Sequence, residues 1–341
     1  MDVGRVLRTY QRVCLGFVGL GVALALAGAT PLFGWWRGAV AHDLFGAARL
    51  PPDVTRLARL TDAILGASIV GKWLTAWWLA RGPLAAGHTW AWRASVAALA
   101  LWWLVDSGVS LAVGAPANVV LVNGAPLVCA GSLLAMLRRH RAPTAPVPRA
   151  RPRGWWALEL VCWANVGLGL MVAVAPRWGG FAAWCAGLDR WVGAPASPEA
   201  DLWLRFVAGP IGGTIAAHFL LLGWAARRAP GAAWVRRAVV TSVLAWCALD
   251  SALSVALGAW FNLAYVNLPC VVVVLVATAV ARPGVTAAGP ATVALCVAGG
   301  GAPPPAGVAI DLAVDAGVVD VFDAGAGAPD GPAATSSEPP S

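Results

Sequence analysis

Residues 102–123 read "WWLVDSGVSLAVGAPANVVLVN", and residues 246–267 read "WCALDSALSVALGAWFNLAYVN". Each stretch is almost entirely apolar, yet each carries an aspartate near its middle, Asp106 and Asp250. Nine of the eighteen positions in 106–123 match 250–267, so the chain holds two copies of one pattern. Runs this long and this apolar are the signature of membrane-spanning helices, which need about 20 residues to cross a bilayer. The reading therefore has two parts, how many times the chain crosses and why a carboxylate sits inside.

Composition agrees with a bilayer as solvent. Of 341 residues 59% are apolar and 12% charged, and mean hydropathy is +0.72. A soluble domain carries about 25% charged residues. Eight apolar runs are long enough to span, at 13–35, 60–80, 92–114, 117–137, 155–175, 202–225, 236–258 and 262–281. Continuous rather than alternating hydrophobicity selects helix over strand, and a helix satisfies its own backbone in lipid. The expected fold is all-α, a polytopic membrane protein of eight transmembrane helices. Short joins at Ala115–Pro116 and Ala259–Trp260 make hairpins of the third and fourth spans and of the seventh and eighth.

The duplication extends through most of 13–282. "VCLGFVGLG" at 13–21 matches "VCWANVGLG" at 161–169, a shift of 148; the shift is 146 at Asp43 and Asp189, and 144 beyond Arg93 and Arg237. Each half has four spans, an even number, so both halves share one orientation. Two parallel four-helix repeats follow, 1–138 and 154–282, with a symmetry axis along the membrane normal. The retained counterpart at 161–169 argues against reading the first span as a cleaved signal peptide. A Pro/Arg-rich linker, 139–153, joins the halves, and an acidic Ala/Gly/Pro-rich tail, 283–341, is expected to be disordered.

Sixteen arginines fall on the side that carries both termini and seven on the other. The positive-inside rule then places both termini in the cytoplasm, with a bacterial inner membrane as the expected location. The net charge of +8 is spread through juxtamembrane segments, so nucleic acid is not an expected partner; the bilayer is. Nothing in the sequence specifies an oligomeric state. The seven cysteines lack any CxxC spacing, which predicts neither a disulfide framework nor a zinc site; Cys185 is read as a loop residue. No cofactor fingerprint, P-loop, GxSxG or HExxH motif is present, and no catalytic residues are assigned.

The polar residues inside the runs are the candidate site. Trp102, Asp106, Ser110, Gly114 and Asn118 are spaced by four, as are Trp246, Asp250, Ser254, Gly258 and Asn262. Residues four apart share a helix face. Ser107, Ser251, Asn123 and Asn267 extend the polar set. The serine–glycine spacing also suits close helix contact. An ionised carboxylate at mid-membrane costs about 2.5–3.5 kcal/mol on the insertion scale and seeks a partner. Lys72 is the expected partner of Asp106, with a depth difference of roughly 7 Å at 1.5 Å per residue. His218 is the expected partner of Asp250, in a position two residues out of register with Lys72, and histidine changes charge near physiological pH. Asp62 and Arg205 occupy nearly equivalent positions near outer helix ends and are read as two separately solvated charges, with pairing between the halves as the alternative; Asp201 and Arg205 have i,i+4 spacing. Glu159 is expected to be hydrated near a helix end.

Three functional classes are compatible with this pattern. One is a transporter-like protein whose central polar site handles a proton or a small solute. The second is a non-catalytic scaffold or sensor subunit in which the same residues only bind helices together. The third, an intramembrane enzyme using the paired carboxylates for acid–base work, lacks an accompanying nucleophile or metal set. A cavity at the aspartates would separate the first from the second.

Overall fold

A run of apolar residues in lipid must close its hydrogen bonds within itself, so each run becomes one helix. A computed structural model describes residues 2–141, 152–177, 179–193 and 197–281. The expected disordered tail, most of the 139–153 linker and Cys296 lie outside the described residues. Ten helices form: α1 Val3–Ala27, α2 Gly34–Phe45, α3 Pro52–Arg81, α4 Thr89–Ala112, α5 Pro116–His140, α6 Trp155–Val174, α7 Ala182–Val192, α8 Pro198–Arg228, α9 Ala233–Ala256 and α10 Trp260–Val280. Eight of them, all but α2 and α7, are long and apolar enough to cross a membrane. The chain is a multi-pass membrane protein with polar residues buried among its helices.

The first helix begins ten residues earlier than the apolar run alone indicates. Asp2 caps it by accepting from the Gly4 N–H at 2.9 Å, and the buried Val6 and Tyr10 anchor its first turns. Long arginine side chains carry charge away from an apolar stem, so Arg5, Arg8 and Arg12 are tolerated on that helix. It stops at Ala27 because Pro31 lacks the N–H that a continuing helix requires. Helices α2 and α7 lie outside the spans read from the sequence, apart from the first two residues of α2, and Cys185, read as a loop residue, is a buried residue of α7.

Burial separates the spans into two classes. In α3 and α8, 78% and 89% of the most apolar window is buried; in the other six spans the share is 22–44%. Hence α3 and α8 form the centre and the rest face lipid on one side, with Leu15, Leu104, Val128, Leu160 and Val276 exposed. Helix α1 packs on α3 and on α5, while α6 packs on α8 and on α10. The third span of each half lies against the central helix of the other half, α4 on α8 and α9 on α3.

Glycines set these crossings. A Cβ on Gly21 would lie 2.7 Å from the Gly66 carbonyl oxygen, and one on Gly169 would lie 2.7 Å from that of Gly212. Backbones this close admit no side chain. Gly19 and Gly167, the other glycines of "VGLG", meet nothing within 4 Å. Gly114 and Gly258 serve turns rather than helix contact: their φ values are +83° and +71°, a region favourable only to glycine. The turns close through Ala115 N–H to Ser110 O at 2.8 Å and Ala259 N–H to Ser254 O at 2.7 Å.

Candidate functional site: two intramembrane polar clusters

Each hairpin places its aspartate where the following helix can reach it. Asp106 is 2% exposed and Asp250 1%. Asp106 Oδ1 accepts from Asn118 Nδ2 at 2.8 Å and from Ser110 Oγ at 3.3 Å. Asp250 Oδ1 accepts from Asn262 Nδ2 at 2.8 Å and from Ser254 Oγ at 3.1 Å. Each asparagine also donates to its serine, at 3.0 Å and 2.9 Å. Asn123 Nδ2 donates to Ser107 Oγ at 3.1 Å, and Asn267 Nδ2 to Ser251 Oγ at 3.2 Å. All twelve sequence-derived positions except Lys72 and His218 thus fall into two matching hydrogen-bonded sets.

A local irregularity allows this. Five residues advance an α-helix by about 500°, which would turn Asn118 and Asn123 roughly 140° apart. Val119–Asn123 and Leu263–Asn267 instead form π turns. Their i→i+5 bonding stacks residues five apart, so both asparagines meet the preceding helix. Pro126 and Pro269 lack the N–H that would bond to the carbonyls of Val122 and Tyr265, which lowers the cost of the wider ring there.

Two tryptophans complete the clusters and were not among the sequence-derived residues. Trp36 Nε1 donates to Asn118 Oδ1 at 3.1 Å, and Trp184 Nε1 to Asn262 Oδ1 at 3.0 Å. They come from α2 and α7, far away in sequence. Their separation is 148 residues, the shift of "VGLG", and that coincidence was the available signal.

The expected charge pairs do not form. The Lys72 ammonium lies 3.9 Å from the centre of the Trp102 ring and 4.9 Å from that of Trp73. Among the described residues it has no hydrogen bond and no carboxylate within 4 Å. The aromatic faces hold the cation, because their quadrupoles attract it, while Asn118 and Ser110 already occupy Asp106 Oδ1. His218 Nε2 lies 3.1 Å from Ser242 Oγ, its ring stacked on Phe219 and edge-on to Trp246. Gly66 and Gly212, at the two glycine crossings, differ by 146, as do Lys72 and His218, so the lysine and the histidine stand six residues beyond their crossings on the two central helices.

The clusters differ in the space beside them. A cavity of about 270 Å³ is lined by Lys72, Asp106 and Asn118 and walled by aromatic and aliphatic residues, with Pro210 and Thr214 of α8 on one side. Asp250 and Asn262 line a separate cavity of about 70 Å³ that His218 does not reach. Asp250 Oδ2 is buried without a hydrogen-bond partner, whereas Asp106 lines open space.

Asp62 is buried and pairs with Arg37 of α2, so it is neither solvated nor bonded to Arg205. Burial, with Arg59 nearby, pushes the Arg37 guanidinium down to about 10, so it stays charged at neutral pH. Arg205 bonds to Asp201 at 2.8 Å, the i,i+4 pair read from the sequence, and Arg177 joins Asp201 at 2.7 Å. The side chain of Glu159 is 13% exposed and lies 3.9 Å from Arg227. Asp43 Oδ2 accepts from the Ala117 N–H at 2.8 Å, which ties α2 to the start of α5. No group of three or more metal-ligating side chains occurs among the described residues.

Comparison with known protein families, characterised proteins and solved structures finds no match.

Proposed function

We propose that this membrane protein is transporter-like, built as two parallel four-helix repeats, 1–138 and 154–282, around polar sites that handle a proton or a small solute. The observation that carries this reading is the meeting of Lys72, Asp106 and Asn118 on one cavity. Buried ionisable residues in a spanning bundle mark ion or substrate sites by default, because each is costly to keep. Support for the repeat comes from the paired hydrogen bonds and from the crossed packing of α4 on α8 and α9 on α3. The arginine bias supports cytoplasmic termini in a bacterial inner membrane.

The test is proton flux in proteoliposomes under an imposed potential, read by an internal pH dye. The wild type should exceed protein-free vesicles, and Asp106→Asn should fall to their level. Equal flux in all three would defeat the reading.

A scaffold or sensor role remains the second reading, favoured by one observation: both Oδ1 atoms are already bonded by asparagine and serine. Thermal unfolding of Asp106→Asn with Asp250→Asn across pH separates the two. Early unfolding supports the scaffold; unchanged or higher stability means the charges are retained for function at a cost.

A further inference from the structure

The Lys72 cavity has an unusual combination of walls, floor and entrance. Its walls are apolar and aromatic, including Phe17, Phe33 and Trp73. Its floor holds an ammonium 3% exposed and a carboxylate 2% exposed. Its edge is formed by Leu20 of α1, Trp35 of α2 and Leu121 of α5, all lining residues, which are 45%, 56% and 43% exposed. Those three belong to the outer, apolar surface of the bundle. The entrance is therefore rimmed by exposed apolar side chains, two of them on spanning helices.

Deepening the proposed function by naming a substrate class for the same site, we infer that this cavity binds an uncharged membrane amphiphile with a hydroxyl head, entering sideways from the bilayer. Three steps lead there. Walls of this kind reject a fully hydrated ion and accept a chain or ring, as ligand sites of mainly apolar lining do. The Lys72–Asp106 pair sums to zero charge whether the proton sits on the amine or on the carboxyl, so an anionic or cationic head would bury a net charge. A hydroxyl donates one hydrogen bond and accepts others, and so serves both floor groups at once. Lys72 is free to take part because no carboxylate or hydrogen-bond acceptor holds it among the described residues; it rests on Trp102. Asp106 keeps a second oxygen beyond the Oδ1 that Asn118 and Ser110 engage. The cavity beside Asp250 is smaller, about 70 Å³, and His218 does not line it.

The test uses three photoactivatable probes of equal chain length, each carrying a diazirine: a long-chain primary alcohol, the matching carboxylic acid and the matching amine. Full-length protein in proteoliposomes is irradiated, digested and mapped by mass spectrometry. The alcohol should label the α1 and α5 peptides around Phe17 and Leu121 saturably, at least fivefold above the acid and the amine. Lys72→Met should lower that labelling by fivefold or more, and His218→Leu should leave it unchanged. Leu121→Trp, which narrows the entrance without touching the floor, should also lower it and guards against misfolding of the lysine variant. Uniform labelling of lipid-facing helices, unaffected by either variant, would overturn the site. Equal labelling by the acid would overturn the head-group assignment. Saturable labelling without proton flux would leave this site standing and remove the transporter reading; flux without labelling would do the reverse.

Discussion

The two polar clusters share a hydrogen-bond diagram and differ in what surrounds it. Around Asp106 the equivalent position on the central helix is Lys72, held on Trp102 beside about 270 Å³ of open space. Around Asp250 that position is His218, bonded to Ser242 Oγ, and the space is about 70 Å³. The hydrogen bonds common to both clusters tie α5 to α4 and α2, and α10 to α9 and α7, through aspartate, serine, asparagine and tryptophan. The part that differs between copies is where a binding function can reside. On the proposed reading the first cluster is a lock with a site attached, and the second is a lock alone.

The largest effect should come from breaking the scaffold that both halves share. Gly21→Val and Gly169→Val each put a side chain where the facing carbonyl of Gly66 or Gly212 leaves none. Overpacking of this kind costs about 1–3 kcal/mol or more. Both variants should lose several degrees of thermal stability, and to a similar extent. A large difference between them would mean that the halves do not carry equal loads. Next comes a swap of the central residues. His218→Lys places an ammonium beside Gly71 and Trp246 without the open volume that Lys72 enjoys, since Gly71 already crowds His218. It should destabilise far more than Lys72→His, as read by detergent thermal unfolding. Equal losses would dissolve the distinction between the open and closed copies.

Removing the acceptors should sharpen the comparison further. Asp250→Ala leaves Asn262 Nδ2 with only Ser254 Oγ, in a nearly filled surrounding. An unsatisfied buried donor costs about 1–3 kcal/mol. Asp106→Ala does the same to Asn118, but Asn118 lines the larger cavity and can reorient there. The second variant should therefore lose less stability than the first.

The helices were legible in the sequence because length and apolarity alone specify them, and the four-residue spacing of Asp106, Ser110 and Asn118 marked a common face. Their packing partners were not legible. Nothing local in α4 states that it lies against α8, since that contact depends on small residues of both helices, such as Gly209 and Gly213 opposite Val109 and Val105. The π turns escaped notice because periodicity assumes 100° per residue throughout. Trp36 and Trp184 escaped because no local spacing ties either one to the asparagine it meets, 82 and 78 residues further on. Lys72 and His218 were placed two residues out of register because the 144-residue shift of the following span was carried back to them, whereas Gly66 and Gly212 on the same helices differ by 146. Pairing Lys72 with Asp106 failed for a reason of competition: aromatic faces and amides were available to each partner separately.

The smallest expected effect is the most direct measure of whether the lysine and the aspartate nevertheless sense each other. A double-mutant cycle on Lys72→Met and Asp106→Asn isolates their coupling. Both groups line one cavity without touching, so each single variant leaves one charge facing apolar walls, and the double variant leaves none. The double variant should be more stable than the sum of the singles predicts, by about 0.5–1 kcal/mol, at the low end of couplings measured for interacting pairs. The matched cycle, His218→Leu with Asp250→Asn, should be additive within about 0.3–0.5 kcal/mol, as for independent sites, because His218 answers to Ser242 and Asp250 to Asn262. Coupling of the same size in both cycles would show that the second copy hides a charge network its geometry does not display. Additivity in both would show that Lys72 and Asp106 act separately, and that a ligand between them has to bring them together.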